Sequence, residues 1–304
     1  MRRRVFRPFG AYVEVVADDH RVTDACCVGV GRYPVAAGAV GRYRITATTT
    51  ADTGSDPDWP QTSFRQFEGG IELRCGSACL QVDHRNRTAT ATIPLALLEV
   101  PDAVRMLVEG AVSSLLIGAG ELHAVHSGLV VASGRGVMLR GPSGAGKSTL
   151  TYACMLAGFA VASDDWIYGT AVHRPDTMYG YPWRMFLVPD AVAHFPELAG
   201  QAPIAHPGAD RLKLEIIPPV ARRRVSAGVD AIVFLDPATE LELRRVGAGE
   251  ALERFWAPAL PSERADLPSE WVKALLDRPC FVLQRGTKPA AAAGLLQRLA
   301  SSLR

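Results

Sequence analysis

Eight residues, Gly141-Pro142-Ser143-Gly144-Ala145-Gly146-Lys147-Ser148, constrain this chain more than any other segment. They satisfy G-x-x-x-x-G-K-[ST] at every fixed position. The apolar run "GVMLR" precedes them and the helix-forming run "KSTLTYACMLAG" follows. A strand that turns through glycines into a helix start is the context this motif needs, and it commits the surrounding chain to α/β layering. The glycines let successive N–H groups curl toward a phosphate, and the helix N-terminus adds partial positive charge. Lys147 can neutralise β- and γ-phosphate oxygens, and the Ser148 hydroxyl can face Mg²⁺. Gly141, Ser143, Gly144, Ala145, Gly146, Lys147, Ser148 and Thr149 are therefore the expected nucleotide ligands. ATP is the expected nucleotide, with GTP left open and Mg²⁺ as the companion ion.

Such a loop serves ATPases, motors, GTPases and kinases alike, so a second catalytic group must separate them. Two acidic candidates follow it. Asp236 closes the buried run "AIVFLD" but is followed by Pro237, and no second acid stands where it could polarise water. Asp164 and Asp165 close "FAVAS", 17 and 18 positions beyond Lys147. Two adjacent carboxylates allow two tasks, one facing the metal and one accepting a hydroxyl proton. Their like charges also raise the pKa of one partner.

The segment from Gly141 to Asp165 resembles the catalytic domain of HPr kinase/phosphorylase, and still more the stand-alone bacterial serine kinases related to it. That family carries a His upstream of the loop; His126 sits 15 positions before Gly141, with His123 as runner-up. "YPWRMFL", "DRLKLEI", "AIVFLDP" and "FVLQRG" resemble later blocks in the same order, so the likeness spans about residues 119 to 290. The resemblance implies an α/β P-loop kinase domain of the HPr kinase/phosphoenolpyruvate-carboxykinase-like type. It implies Asp164 as the base, Asp165 as its partner toward Mg²⁺ or His126, and metal contact through Ser148 and Asp165. Arg211 and Lys213 match a basic block whose cations would steady the transferring phosphoryl group. The acidic Leu-Glu-x-Arg-Gly block of that family has no counterpart in "TAVHRPDTMYGYPWRMFLVP", where Asp176 is the one acid. Phosphorolysis and HPr as acceptor are accordingly not carried over. Related stand-alone kinases accompany ribosomally made peptides, lasso peptides among them, and phosphorylate a C-terminal serine.

Before this region the grammar is different. Short alternating runs, "GAYVEVVA", "GRYRITATTT", "GGIELRCG", "ACLQVDH" and "RTATATIP", are separated by turn formers. "TADTGSDPDWPQTS" reads as an exposed loop. A helix is expected over Pro101 to Ile117, with Pro101 and Asp102 suited to its first turn and Gly118 to its end. The chain thus reads as a smaller β-rich N-terminal domain, residues 1–118, expected to carry specificity, and a catalytic domain, residues 119–304. The 304 residues carry 33 Lys and Arg against 31 Asp and Glu, a net charge of +2 that makes no case for nucleic acid. The basic start lacks an apolar signal segment, and no run has the length of a spanning helix. Six scattered cysteines read as reduced thiols. Together these describe a cytoplasmic enzyme without nucleic-acid or membrane partners; a homo-oligomer is compatible with the sequence.

The function expected is transfer of the ATP γ-phosphoryl group to a serine of a peptide or small protein. A kinase for a sugar, nucleoside or amino acid is the alternative, and a non-kinase P-loop ATPase is a third. The Leu-Ser-Gly-Gly motif of ABC ATPases and the Asn-Lys-x-Asp guanine reader of GTPases are both missing.

Overall fold

Alternation of buried and exposed residues in the first ninety positions produces strands with one covered and one solvated face. The computed structural model describes residues 1–33, 39–51, 62–171, 176–204 and 212–303, so most of the loop read at Thr50 to Ser63 lies outside the described residues. The chain divides into two compact units, one of Met1–Leu122 with Leu212, the other of His123–Ile204 with Lys213–Arg304.

The first unit holds β1 (Arg2–Phe6), β2 (Val13–Ala17), α1 (His20–Val28), β3 (Tyr43–Thr50), β4 (Thr62–Phe67), β5 (Gly70–Cys75), β6 (Ala78–Asp83), β7 (Thr88–Pro94) and α2 (Pro101–Gly118). The strands form one sheet in the order β1-β2-β3-β7-β6-β5-β4, parallel at β2/β3 and β3/β7 and antiparallel elsewhere. The meander β5-β6-β7 turns at Gly76-Ser77, where Gly76 takes φ +59°. α2 buries Val104, Leu107, Val108, Ala111 and Leu115 at helical spacing, and packs on β5, β6, β7 and α1. α1, capped by the Asp19 side chain on the Arg21 N–H at 2.8 Å, was not foreseen. In the run Arg2-Arg3-Arg4, Arg3 pairs with buried Glu14, and Arg4 with Asp24 at 3.1 Å.

The second unit holds β8 (Leu122–His126), β9 (Gly128–Ala132), β10 (Arg135–Arg140), α3 (Lys147–Leu156), β11 (Ala160–Ser163), β12 (Trp166–Thr170), β13 (Thr177–Gly180), β14 (Met185–Leu187), β15 (Leu214–Ile216), β16 (Ser226–Gly228), β17 (Ala231–Asp236), β18 (Leu241–Val246), α4 (Ala248–Trp256), α5 (Pro261–Asp266), α6 (Ser269–Leu276), β19 (Cys280–Arg285) and α7 (Pro289–Ser302). Its main sheet runs β11-β9-β10-β17-β19-β18; a smaller one runs β16-β13-β12-β8, and β14 pairs with β15. β10, β17 and β19 are parallel, and their continuous apolar runs reflect burial on both faces. Val137, Leu139, Val233, Leu235 and Leu283 face the core built with α3 and α7. Met138, Ile232, Phe234 and Val282 face the core built with α4 and α6. The architecture is mixed α/β with several sheets.

The alternation carries a charge into the second core. Arg140, last in β10, follows Met138 to the α4–α6 side and is fully buried. Its Nη1 donates to Glu263 Oε1 at 2.8 Å, and its Nε donates to the Phe255 carbonyl at 2.8 Å. The guanidinium also lies 4.1 Å from the centre of the Phe255 ring. Glu263, 1% exposed, accepts from the Leu260 N–H through its other oxygen at 2.8 Å, capping α5. Breaking a buried ion pair on one side strands the other charge and costs about 3–5 kcal/mol. Glu263→Ala is therefore expected to lose stability of that order in urea titrations followed by tryptophan fluorescence, and a loss below about 1 kcal/mol would contradict this.

Candidate functional site

The glycine loop leaves β10 at Gly141 and enters α3 at Lys147. Gly144 and Gly146 take φ of +81° and +88°, backbone that a side chain disfavours, and Gly146 is the N-cap of α3. Ala145 is buried against the core, while Ser143 and Gly144 are exposed. The Lys147 ammonium reaches back across the loop, donating to the Gly141 carbonyl at 2.9 Å and the Pro142 carbonyl at 3.3 Å. Burial lowers the Lys147 pKa, against the opposing pull of Asp165. Ser148 and Thr149 occupy the first turn of the helix, half-buried.

β11 brings the two aspartates to this loop. The two aspartates form the bend between β11 and β12, which leaves Asp164 buried and Asp165 exposed. Asp164 lies beside the Ser148 hydroxyl, close enough for that group to act on its charge, and accepts a long hydrogen bond, at 3.5 Å, from the Phe186 N–H. Burial, with the adjacent Asp165 charge, pushes the Asp164 carboxyl up to about 7. Asp165 is held the other way. Desolvation would raise it, but the His126 hydrogen bond and the charges of His126, Lys147 and Lys213 keep it below the usual carboxylate range. The His126 Nε2 to Asp165 Oδ1 distance is 2.9 Å. The His126 ring also lies 5.4 Å from that of Trp166, and its backbone N–H donates to Glu263 at 3.0 Å. One carboxylate of the pair is thereby biased toward carrying a proton and the other toward charge.

Several sequence candidates stand elsewhere. His123 is buried edge-on to Trp271 with ring centres 5.1 Å apart, so His126 is the imidazole on the aspartates. Asp236 follows Phe234 to the face opposite α3 and pairs with Arg254 at 3.5 Å. Asp176 pairs with Arg278 at 2.7 Å. Lys213 is close enough to act on the Asp165 charge, whereas Arg211 lies outside the described residues. In the run Arg222-Arg223-Arg224, Arg222 and Arg223 donate to the carbonyls of Gly158 and Pro218. The cysteines are free thiols, and burial pushes Cys75 and Cys280 up to about 11.

Sequence reasoning missed Glu263 and Arg140. Glu263 lies 137 positions from His126, whose backbone it holds, and no motif links them. The sole signal was an arginine in an otherwise apolar strand, directly before the loop.

The donor set suits Mg²⁺. A hydroxyl and two carboxylates are hard oxygen ligands beside a run of loop amides. Among the described residues no group of three or more His, Cys, Asp or Glu converges on a metal position.

No protein-family model matches the sequence, and no curated relative does. Among solved structures, the chain is similar to the HPr(Ser) kinase/phosphatase of Coxiella burnetii at 14% identity and a TM-score of 0.27. The match covers 59% of this chain and 94% of that one. Among the described residues, no helix is long and apolar enough to cross a membrane.

A raised carboxyl costs stability once it ionises. For Asp164, stability is full below the unfolded value of 3.8 and is lost as pH rises toward about 7. Asp164→Asn removes that cost while keeping an oxygen for Ser148. The variant should therefore gain over the parent protein on going from pH 5 to pH 8, by about 2 kcal/mol in denaturant titrations. A gain that does not grow with pH would show that Asp164 ionises freely.

Proposed function

We propose that the second unit is an ATP- and Mg²⁺-dependent phosphotransferase that phosphorylates a hydroxyl, with a serine of a peptide or small protein as acceptor. The observation that carries this reading is the differentiated aspartate pair facing the glycine loop: Asp164 buried beside Ser148 and raised, Asp165 paired with His126 and lowered. An enzyme that only hydrolyses ATP needs a group to orient water. A kinase needs a base whose proton affinity is close to the working pH, and a carboxyl raised to about 7 meets that need.

The chain's residues divide the work as follows. The loop amides and Lys147 hold the phosphates, Lys147 leaving the carbonyls of Gly141 and Pro142 to do so. Ser148 and Asp165 would hold Mg²⁺, which supplies charge neutralisation on the phosphate oxygens when bound. Asp164 accepts the acceptor hydroxyl's proton as that oxygen bonds to the γ-phosphorus. The bond from the γ-phosphorus to the bridging oxygen breaks, and ADP departs with its electron pair. His126 keeps Asp165 oriented and charged, so that the proton goes to Asp164. Lys213, beside Asp165, offsets negative charge at the γ-phosphoryl end.

Arrest of transfer without loss of binding is the test. Asp164→Asn should lower phosphorylation of a serine-containing peptide by about 10²–10⁴-fold, read by mass spectrometry, while calorimetry shows nucleotide affinity within a few-fold of the parent. Full transfer by this variant would remove the base assignment. Label from ATP entering low-mass metabolites rather than peptide would select the small-molecule alternative.

A further inference from the structure

The sheet order of the second unit gives the glycine loop two flanks. β11 is antiparallel to β9, which is antiparallel to β10, so β11 runs parallel to β10. The C-terminal ends of β11, β10, β17 and β19 therefore share one edge of the sheet. β11, with Asp164 and Asp165 just beyond it, lies two strands from β10 on one side. β19, ending in Arg285, lies two strands from β10 on the other. At ordinary strand spacing each flank is roughly 10 Å from the loop.

Arg285 spans its share of that gap. It continues the row of Phe281 and Leu283, which face α3, so its side chain emerges at the N-terminal end of that helix. A Cβ placed on Gly146 would come within 3.3 Å of the Arg285 Nε and 3.4 Å of its Cζ. The guanidinium thus lies against the loop, and a side chain at 146 would press on it. Its Nε is buried from solvent yet has no hydrogen-bond partner. The neighbouring cations each have an acceptor: Arg140 pairs with Glu263, although its Nη2 is also buried without a partner, Arg254 pairs with Asp236 and Glu250, and Lys147 donates to two carbonyls. A buried, unpartnered donor on a cation costs free energy unless something supplies an acceptor. A cation beside a helix N-terminus repels other cations and awaits an anion.

We propose that Arg285 is a nucleotide-binding residue that contacts the α- or β-phosphate of the bound nucleotide. This rests on the loop binding a nucleoside triphosphate. The aspartates mark the flank where the γ-phosphoryl group is transferred, so a cation on the opposite flank meets the part of the nucleotide shared by ATP and ADP. Arg285 and Lys213 then divide the phosphate chain, Arg285 holding what stays behind and Lys213 attending to what is transferred. The guanidinium suits this role because its charge is permanent and its donors are fixed in a plane.

Calorimetric titration with ATP-Mg²⁺ and ADP-Mg²⁺ separates these roles in the full-length chain, with melting temperatures recorded alongside. Arg285→Gln should raise the Kd of ATP and of ADP by the same factor, about ten-fold or more, while Arg285→Lys recovers part of the loss. Lys213→Met should weaken ATP more than ADP. Unchanged Kd values in a folded Arg285→Gln variant, with tight binding by the parent protein, overturn the assignment and leave the nucleotide reading standing. Loss of ATP affinity alone would move Arg285 to the γ end and also overturns it. If the parent protein binds neither nucleotide, the nucleotide reading itself falls, and this assignment with it.

Discussion

The second unit is organised around one buried ion pair. Arg140 and Glu263 meet at 2.8 Å with almost no solvent contact, and each has further obligations. Arg140 terminates the strand that launches the glycine loop, and it also binds the Phe255 carbonyl. Glu263 caps α5 and holds the His126 backbone. A pair of this kind is seldom a large net source of stability, because desolvation consumes much of the attraction. Its contribution is geometric. It ties the end of β10, the end of β8 and two helices to one point, and two of those termini carry residues of the site.

From that point the site can be followed outward. His126 is anchored through its backbone by Glu263, and its ring holds Asp165. With Asp165 kept charged, its repulsion adds to burial in raising Asp164. Ser148, fixed by the start of α3, lies beside Asp164 and partly opposes that rise. Two chemically identical side chains thus acquire opposite protonation tendencies from their surroundings alone. Such opposed environments are what separates acid and base roles at neutral pH.

Much of this was legible in the sequence, for definite reasons. The glycine loop is a local device, and its strand–turn–helix context is written in adjacent residues. The meander over β5, β6 and β7 follows from period-two alternation and two turns. The helix expected over Pro101 to Ile117 appears as α2, one residue longer. His126 met the aspartates rather than His123, as its spacing suggested. What escaped was non-local or orientational. Asp236 looked eligible for the metal until its register placed it on the face away from α3. Which of the two neighbouring aspartates turns inward is likewise a matter of packing: Asp164 is buried near the Phe186 N–H, and Asp165 is exposed. Glu263 belongs to a short, polar helix with no motif, and Arg285 to a strand end far along the chain. α1 was missed because its short sequence, "HRVTDACCV", has weak helical periodicity and takes its order from packing on α2.

The Lys147 contact has a consequence of its own. The ammonium sits on the carbonyls of Gly141 and Pro142, acting as an internal tether across the mouth of the turn. The loop is thus held curled by its own side chain, and its glycines need not collapse or refold when a phosphate arrives. The lysine has already given up much of its water, so an incoming anion competes with two neutral carbonyls rather than with bulk solvent. On the nucleotide-binding reading proposed above, recognition is an exchange of partners inside a preformed ring. Speed of capture and release would be set by how readily one side chain swings, with little rearrangement of the backbone.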